Sequence, residues 1–181
     1  PCGARGITGF RAIDAVLGAL AQAAPERVPA DGDGGNTNIT IGGRDKHGRP
    51  FAFADWICGS RGGRPDGDGP EGVVHPGANM TNTPVEIAEL GAPVMIEEYE
   101  MVPDSGGAGM FRGALAQVRN IRCLADEATL QVRSDKRRYP PFGLSGGKPG
   151  TSSLNVLNPG PQEELLPTLA VRSIRRGDVF S

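Results

Sequence analysis

The sequence predicts an α+β fold: β-rich, with one long N-terminal helix, several short strands and long Gly/Pro-rich loops. Three observations carry that expectation. One stretch repeats its apolar residues at helical spacing. Several later stretches alternate apolar and polar residues without helices between them, which argues against a doubly wound parallel sheet. The chain also spends 28 glycines and 16 prolines in 181 residues, with no three-residue period that would indicate collagen. Its net charge is only −2, and it carries enough Leu, Ile, Val and Phe to build a core, so a folded, loop-rich protein is expected rather than a disordered one.

Phe10, Ile13, Leu17, Leu20 and Ala24 fall three or four apart and place one apolar stripe on a helix expected to pack on a sheet. Thr8 or Gly9 is placed to cap its start, and Pro25 to end it. Residues 37–41 and 51–57 alternate around the turn at 44–49 and read as a β-hairpin with a long loop. Thr83-Pro84-Val85-Glu86 has the form of a capping box with proline at the first helical position, so a short helix is expected to reach about Leu90 and stop at Gly91. Further strands are expected at 94–102, 115–124, 129–133, 154–157 and 169–174.

Composition narrows the partners. Near-neutral charge gives no footprint for nucleic acid, and the basic group Arg122, Arg133, Lys136, Arg137 and Arg138 has no aromatic residues interleaved, so it reads as a solvated face. No apolar run approaches the roughly 20 residues that span a bilayer. Cys2, Cys58 and Cys123 are odd in number and widely spaced, which suits free thiols in a reducing cytoplasm. The chain begins at Pro1 without a methionine and is expected to be a piece of a longer protein.

Several motif matches fail on context. Gly67-Asp68-Gly69-Pro70-Glu71-Gly72 fits a dinucleotide fingerprint by letter, but prolines flank it and no strand leads into it. Gly146-Gly147-Lys148 lacks the first glycine and the Ser or Thr of a P-loop. Asp31-Gly32-Asp33 starts like a calcium loop but has Gly42 where the bidentate acid belongs, and it reads as a turn. His47 and His75 have no partner at ligand spacing, and both read as turn or loop residues, so no metal site is assigned within the chain. Ser105 lacks the nucleophile elbow of a hydrolase.

The most informative run is residues 103–113, where four glycines accompany Asp104, Ser105 and Arg112 between two expected strands. Glycine permits close backbone approach at an entropic cost, so the run suggests a shaped loop whose N–H groups and Arg112 face an anion. The wider expectation is that the glycine-rich bends form rigid walls of one recess around a negatively charged guest.

Six ordered segments together resemble the C-terminal part of the hydantoinase B/5-oxoprolinase family. They are Gly3-Ala4-Arg5-Gly6-Ile7-Thr8-Gly9-Phe10-Arg11; Gly48-Arg49-Pro50-Phe51; Gly62-Gly63-Arg64-Pro65 with Asp68-Gly69; Asn79-Met80-Thr81-Asn82-Thr83-Pro84-Val85-Glu86; the 103–113 run; and Phe142-Gly143-Leu144-Ser145-Gly146-Gly147-Lys148-Pro149-Gly150. Residues 174–180 resemble the strand entering the family's glycine-rich tail, and Arg61 departs from the family's usual glycine pattern.

The resemblance implies the B subunit of an ATP-dependent amidohydrolase that opens a cyclic amide, such as hydantoin or 5-oxoproline. It implies a hetero-oligomer in which a hydantoinase A-type partner uses ATP to phosphorylate the carbonyl oxygen of the small-molecule substrate. The family's Asp/His metal motif is absent from this sequence, so the resemblance places a divalent metal in an upstream part. It suggests Arg64 and Arg112 as anion-facing, substrate-binding groups, with Asp104 and Ser105 orienting the second loop, and leaves the catalytic residues unassigned. Two other readings stay open: the matching segment of an ATP-dependent acetone or acetophenone-type carboxylase, and a non-catalytic scaffold that docks the A subunit.

Overall fold

The computed structural model describes residues 5–35, 37–57, 59–78 and 80–181. Cys2, Cys58 and Asn79, which entered the readings above, lie outside the described residues, as do residues 3 and 4 of the first family-like segment.

Two antiparallel sheets form the body. The first runs β2-β1-β5-β8, built from β1 (Thr37–Arg44), β2 (Pro50–Ile57), β5 (Glu127–Arg133) and β8 (Leu169–Arg175). The second runs β3-β4-β9-β6-β7, from β3 (Val94–Met101), β4 (Gln117–Cys123), β6 (Val156–Leu157), β7 (Glu164–Leu165) and β9 (Val179–Phe180). The long-loop hairpin forms as its alternation predicts, with Ile39 opposite Asp55 and Ile41 opposite Phe53.

Period-two burial sets the core. On β5, Ala128, Leu130 and Val132 point inward while Glu127, Thr129 and Gln131 face out. With Ile39, Ile41, Phe53 and Ile174 they meet Val94, Ile121, Cys123 and Phe180 of the second sheet in one apolar cluster. The α+β class therefore holds, and the two sheets bury each other's inner faces. Burial also pushes the free Cys123 thiol up, which leaves it an inert core residue.

Four local expectations change. Helix α1 (Arg5–Ala23) begins before Thr8 and Gly9, which lie inside it rather than capping it. Its inward stripe is Phe10, Ile13, Leu17 and Ala21, whereas Leu20 is exposed. Nor does α1 join the sheet core, whose faces are already filled by one another. It rests instead on loops: Phe10 stacks on His75 with ring centroids 4.7 Å apart, and Arg11 pairs with Asp135. At α2 (Val85–Gly91) the capping box does not form. Pro84 is extended (ψ 141°) and serves as the cap itself, so Thr83 lies one residue too early to donate or accept there.

One buried ion pair ties the sheets together. Arg119 occupies an inward position on β4, and its guanidinium pairs with Asp55 on β2 while donating to the Thr83 carbonyl at 3.0 Å. It also lies 4.3 Å from the Tyr99 ring centroid.

Candidate functional site

Four loop segments close a ring at one end of the sheets. Segments 30–33 and 59–63 are joined by Ala30 N–H to the Gly63 carbonyl (2.9 Å) and Asp33 N–H to the Ser60 carbonyl (2.9 Å). Segment 59–63 meets the 103–114 loop through Ala114 N–H to the Arg61 carbonyl (2.8 Å). That loop meets 142–151 through Lys148 N–H to the Ala108 carbonyl (2.7 Å) and Thr151 N–H to the Ser105 carbonyl (3.0 Å). Asp31 N–H to the Phe142 carbonyl (3.2 Å) completes the circuit.

Two glycines show why these joints demand that residue. A Cβ at Gly62 would collide with the Ala30 carbonyl, and one at Gly107 with the Lys148 carbonyl. Backbone lies directly on backbone at both, which only a side chain of hydrogen permits. The glycine-rich bends thus share a single recess of about 840 Å³, the size of a small-molecule site. Its apolar wall includes Val28, Met110, Phe111 and Phe142.

Most charges on the wall are already paired. The carboxylate of Asp31 holds Lys136 and accepts Gly32 N–H at 3.0 Å. Next to the ring, His75 Nδ1 accepts Gly77 N–H at 3.0 Å, so its Nε2–H donates to Asp14 at 2.9 Å. Thus His75 is a turn residue, as read, but one that is buried and bound to α1.

Two partly buried groups on the wall differ. Asp33 accepts Gly59 N–H on Oδ2 at 3.0 Å, while its Oδ1 is buried without any hydrogen-bond partner. Burial pushes its carboxyl up to about 6; the Gly59 and Ser60 amides, His75 and Arg61 offset only part of that. Arg61, half-buried, makes no hydrogen bond or ion pair through its side chain among the described residues. Burial lowers its pKa against the pull of Asp33, Asp14 and Asp31.

The residues expected from the sequence divide. Arg64 and Ser105 line the recess. Arg64 is exposed and lies 3.6 Å from Asp66. The Ser105 hydroxyl donates to the Val102 carbonyl and accepts Ala116 N–H, both at 2.7 Å, which pins the loop base. Arg112 and Asp104 do not line the recess. The Arg112 guanidinium is taken by Glu71 at 2.8 Å and Asp68 at 3.7 Å, so it clasps the 67–72 segment rather than facing a guest. Asp104 sits exposed at the turn with φ 58°.

Asp33, Arg61 and Lys136 line the recess although the sequence marked them only as a turn residue, a family departure and part of a solvated basic face. An acid between glycines in 31–35 was the available signal, and so was the arginine that broke a glycine pattern. Among the described residues no three His, Cys, Asp or Glu side chains gather as a metal site. No helix among them is long and apolar enough to cross a membrane.

A family model described as Hydantoinase B/oxoprolinase matches residues 1–181. An uncharacterised protein of Methanocaldococcus jannaschii is 38% identical over 143 residues, covering 79% of this chain and 24% of that protein. The caprolactamase subunit beta of Pseudomonas jessenii is 33% identical over 141 residues, covering 75% and 24%. A 5-oxoprolinase of Dictyostelium discoideum is 30% identical over 151 residues, covering 83% and 11%. The chain thus spans about a quarter or less of the length of these relatives. In fold it is similar to the ATP-dependent caprolactamase of Pseudomonas jessenii (TM-score 0.72, 24% identity, 90% of this chain and 30% of that one). It is also similar to an acetone carboxylase (TM-score 0.69, 16% identity, 89% and 26%).

Proposed function

This chain belongs to the hydantoinase B/oxoprolinase family, and from that premise we propose that it forms the substrate-facing wall of a subunit that opens cyclic amides after ATP-dependent activation. The observation that supports the reading is the closed ring of glycine loops around one recess, large enough for a small ring and walled by apolar side chains with a few polar groups. Relatives at 30% identity or more include a caprolactamase subunit beta and a 5-oxoprolinase, both named for lactams.

The chemistry suits a two-subunit division. An amide carbonyl is a poor electrophile, and phosphorylating its oxygen, with ATP spent on a hydantoinase A-type partner, makes that oxygen a leaving group. A divalent metal, if the enzyme uses one, would be held outside this chain. What this chain contributes is binding and shielding. The Phe111 and Phe142 side of the recess covers the ring's carbons and excludes water, and the basic side chains on its wall, Arg61 and Arg64, face the anionic end.

The reading is tested by assembling the chain's full subunit with its A-type partner and supplying hydantoin, 5-oxoproline, caprolactam and acetone, each with and without bicarbonate. Ring opening that needs ATP and not bicarbonate is expected. Bicarbonate-dependent consumption of acetone, with every cyclic amide untouched, would replace this reading by the carboxylase one. Complex assembly without turnover of any of the four would favour a scaffold.

A further inference from the structure

We propose that Arg61 and Asp33 form a two-point clamp for a ligand that carries an oxyanion beside an N–H donor. The inference deepens the cyclic-amide reading and rests on it for the kind of ring held.

Hydrogen-bonding capacity at this corner of the recess is unspent. Around this corner of the recess the other carboxylates are committed, Asp31 to Lys136 and Asp14 to His75. Arg61 and Asp33 alone in this group keep a bare guanidinium and a bare carboxylate oxygen. A buried polar atom without a partner is costly, and such atoms are rare unless a ligand completes them. The two do not complete each other, since no ion pair joins them within 4.0 Å, although each feels the other's charge. Something between them would satisfy both.

The backbone fixes their separation. Asp33 N–H binds the Ser60 carbonyl and Gly59 N–H binds Asp33 Oδ2, so the segments carrying the two side chains are held together on both sides of Ser60. Both residues line the recess. The complementary ligand therefore presents an N–H to Asp33 Oδ1 and an oxyanion to Arg61, whose planar fork suits a carboxylate or a phosphoryl group. A neutral ring with an N–H alone satisfies only half of the clamp. Losing the charge-assisted half weakens binding by about 10- to 100-fold.

Calorimetric titration of the full subunit that contains this chain, assembled with its A-type partner and without ATP, tests this with 5-oxoproline (ring N–H beside a carboxylate), 2-pyrrolidinone (the same ring without it), N-acetylglycine (an open-chain amide beside a carboxylate) and inorganic phosphate. The wild type is expected to hold 5-oxoproline at least about tenfold tighter than 2-pyrrolidinone. Arg61→Gln removes that advantage and leaves 2-pyrrolidinone unchanged. Asp33→Asn, which turns an NH₂ toward the ligand's N–H, weakens both rings alike; circular dichroism checks that each variant folds. Phosphate that competes in the wild type but not in Arg61→Gln assigns the oxyanion as phosphoryl, and phosphate that does not compete assigns it as carboxylate. If Arg61→Gln leaves the ratio of the two rings unchanged, the clamp is overturned and the cyclic-amide reading stands. If neither ring binds while N-acetylglycine binds in an Arg61-dependent way, the clamp stands and the cyclic-amide reading falls. Binding of no probe overturns both.

Discussion

Gly59 donates its amide N–H to Asp33 Oδ2 at 3.0 Å across 26 residues of chain, while Oδ1 of the same carboxylate is buried without a hydrogen-bond partner. Burial moves this carboxyl from 3.8 up to about 6, so the folded chain holds the proton more tightly than the unfolded chain does. Between about pH 4 and 6 the folded state binds the extra proton, and the group's effect is to lower stability as pH rises through that window. Above it, the desolvated charge costs about 3 kcal/mol. Asp33→Asn keeps an acceptor for Gly59 and has no proton to lose. Urea unfolding at pH 4 and pH 7.5 is expected to show the variant gaining about 1–3 kcal/mol over wild type at the higher pH. An equal difference at both pH values would contradict the assignment.

Arg119 and Asp55 bridge the two sheets with both side chains inaccessible to solvent. Arg119→Met leaves Asp55 charged, buried and unpaired, and is expected to destabilise the fold by about 3–5 kcal/mol. The double variant Arg119→Met/Asp55→Leu removes both charges and is expected to recover most of that loss. Denaturant midpoints of the two variants and wild type provide the check.

Gly107→Ala sets a methyl group against the Lys148 carbonyl and pushes the 103–113 loop off its neighbour at 147–151. The expected cost is about 1–3 kcal/mol in stability. Because the ring opens at that joint, the affinity for a cyclic amide falls with it, while far-UV circular dichroism stays that of the wild type. Retained affinity would mean that the joint does not shape the recess.

Gly9 lies inside α1 with nothing within 4 Å of the position a Cβ would take. Gly9→Ala removes backbone freedom from the unfolded chain without a clash, and is expected to stabilise by about 0.5–1 kcal/mol. Thermal unfolding reads it directly.

What the sequence made legible was local. Ile39, Ile41 and Phe53 alternate around a turn-rich loop, and that pattern sufficed for the first hairpin, whose register only the paired strands define. The two-residue strands at Glu164–Leu165 and Val179–Phe180 are too short to carry a period, and only their sheet partners define them. Arg119 breaks the apolar alternation of β4, so no hydropathy pattern marks it as a core residue. At the candidate site, the glycines announced close approach but not what approached. Asp33 is buried by contacts with residues 59 and 60, and the departure at Arg61 acquired meaning only once 31–33 lay beside it. Arg112 was prominent because its own loop is rich in glycine, yet Glu71, 41 residues away, decides where its charge goes.

Hydrogen–deuterium exchange with and without saturating 5-oxoproline tests most directly whether the four loop segments wall a single ligand site. The account predicts added protection in 30–33, 59–63, 103–114 and 142–151 together, with the outer strands β2 and β8 unchanged. Protection confined to one of those segments, or appearing on β2 or β8 instead, would contradict it.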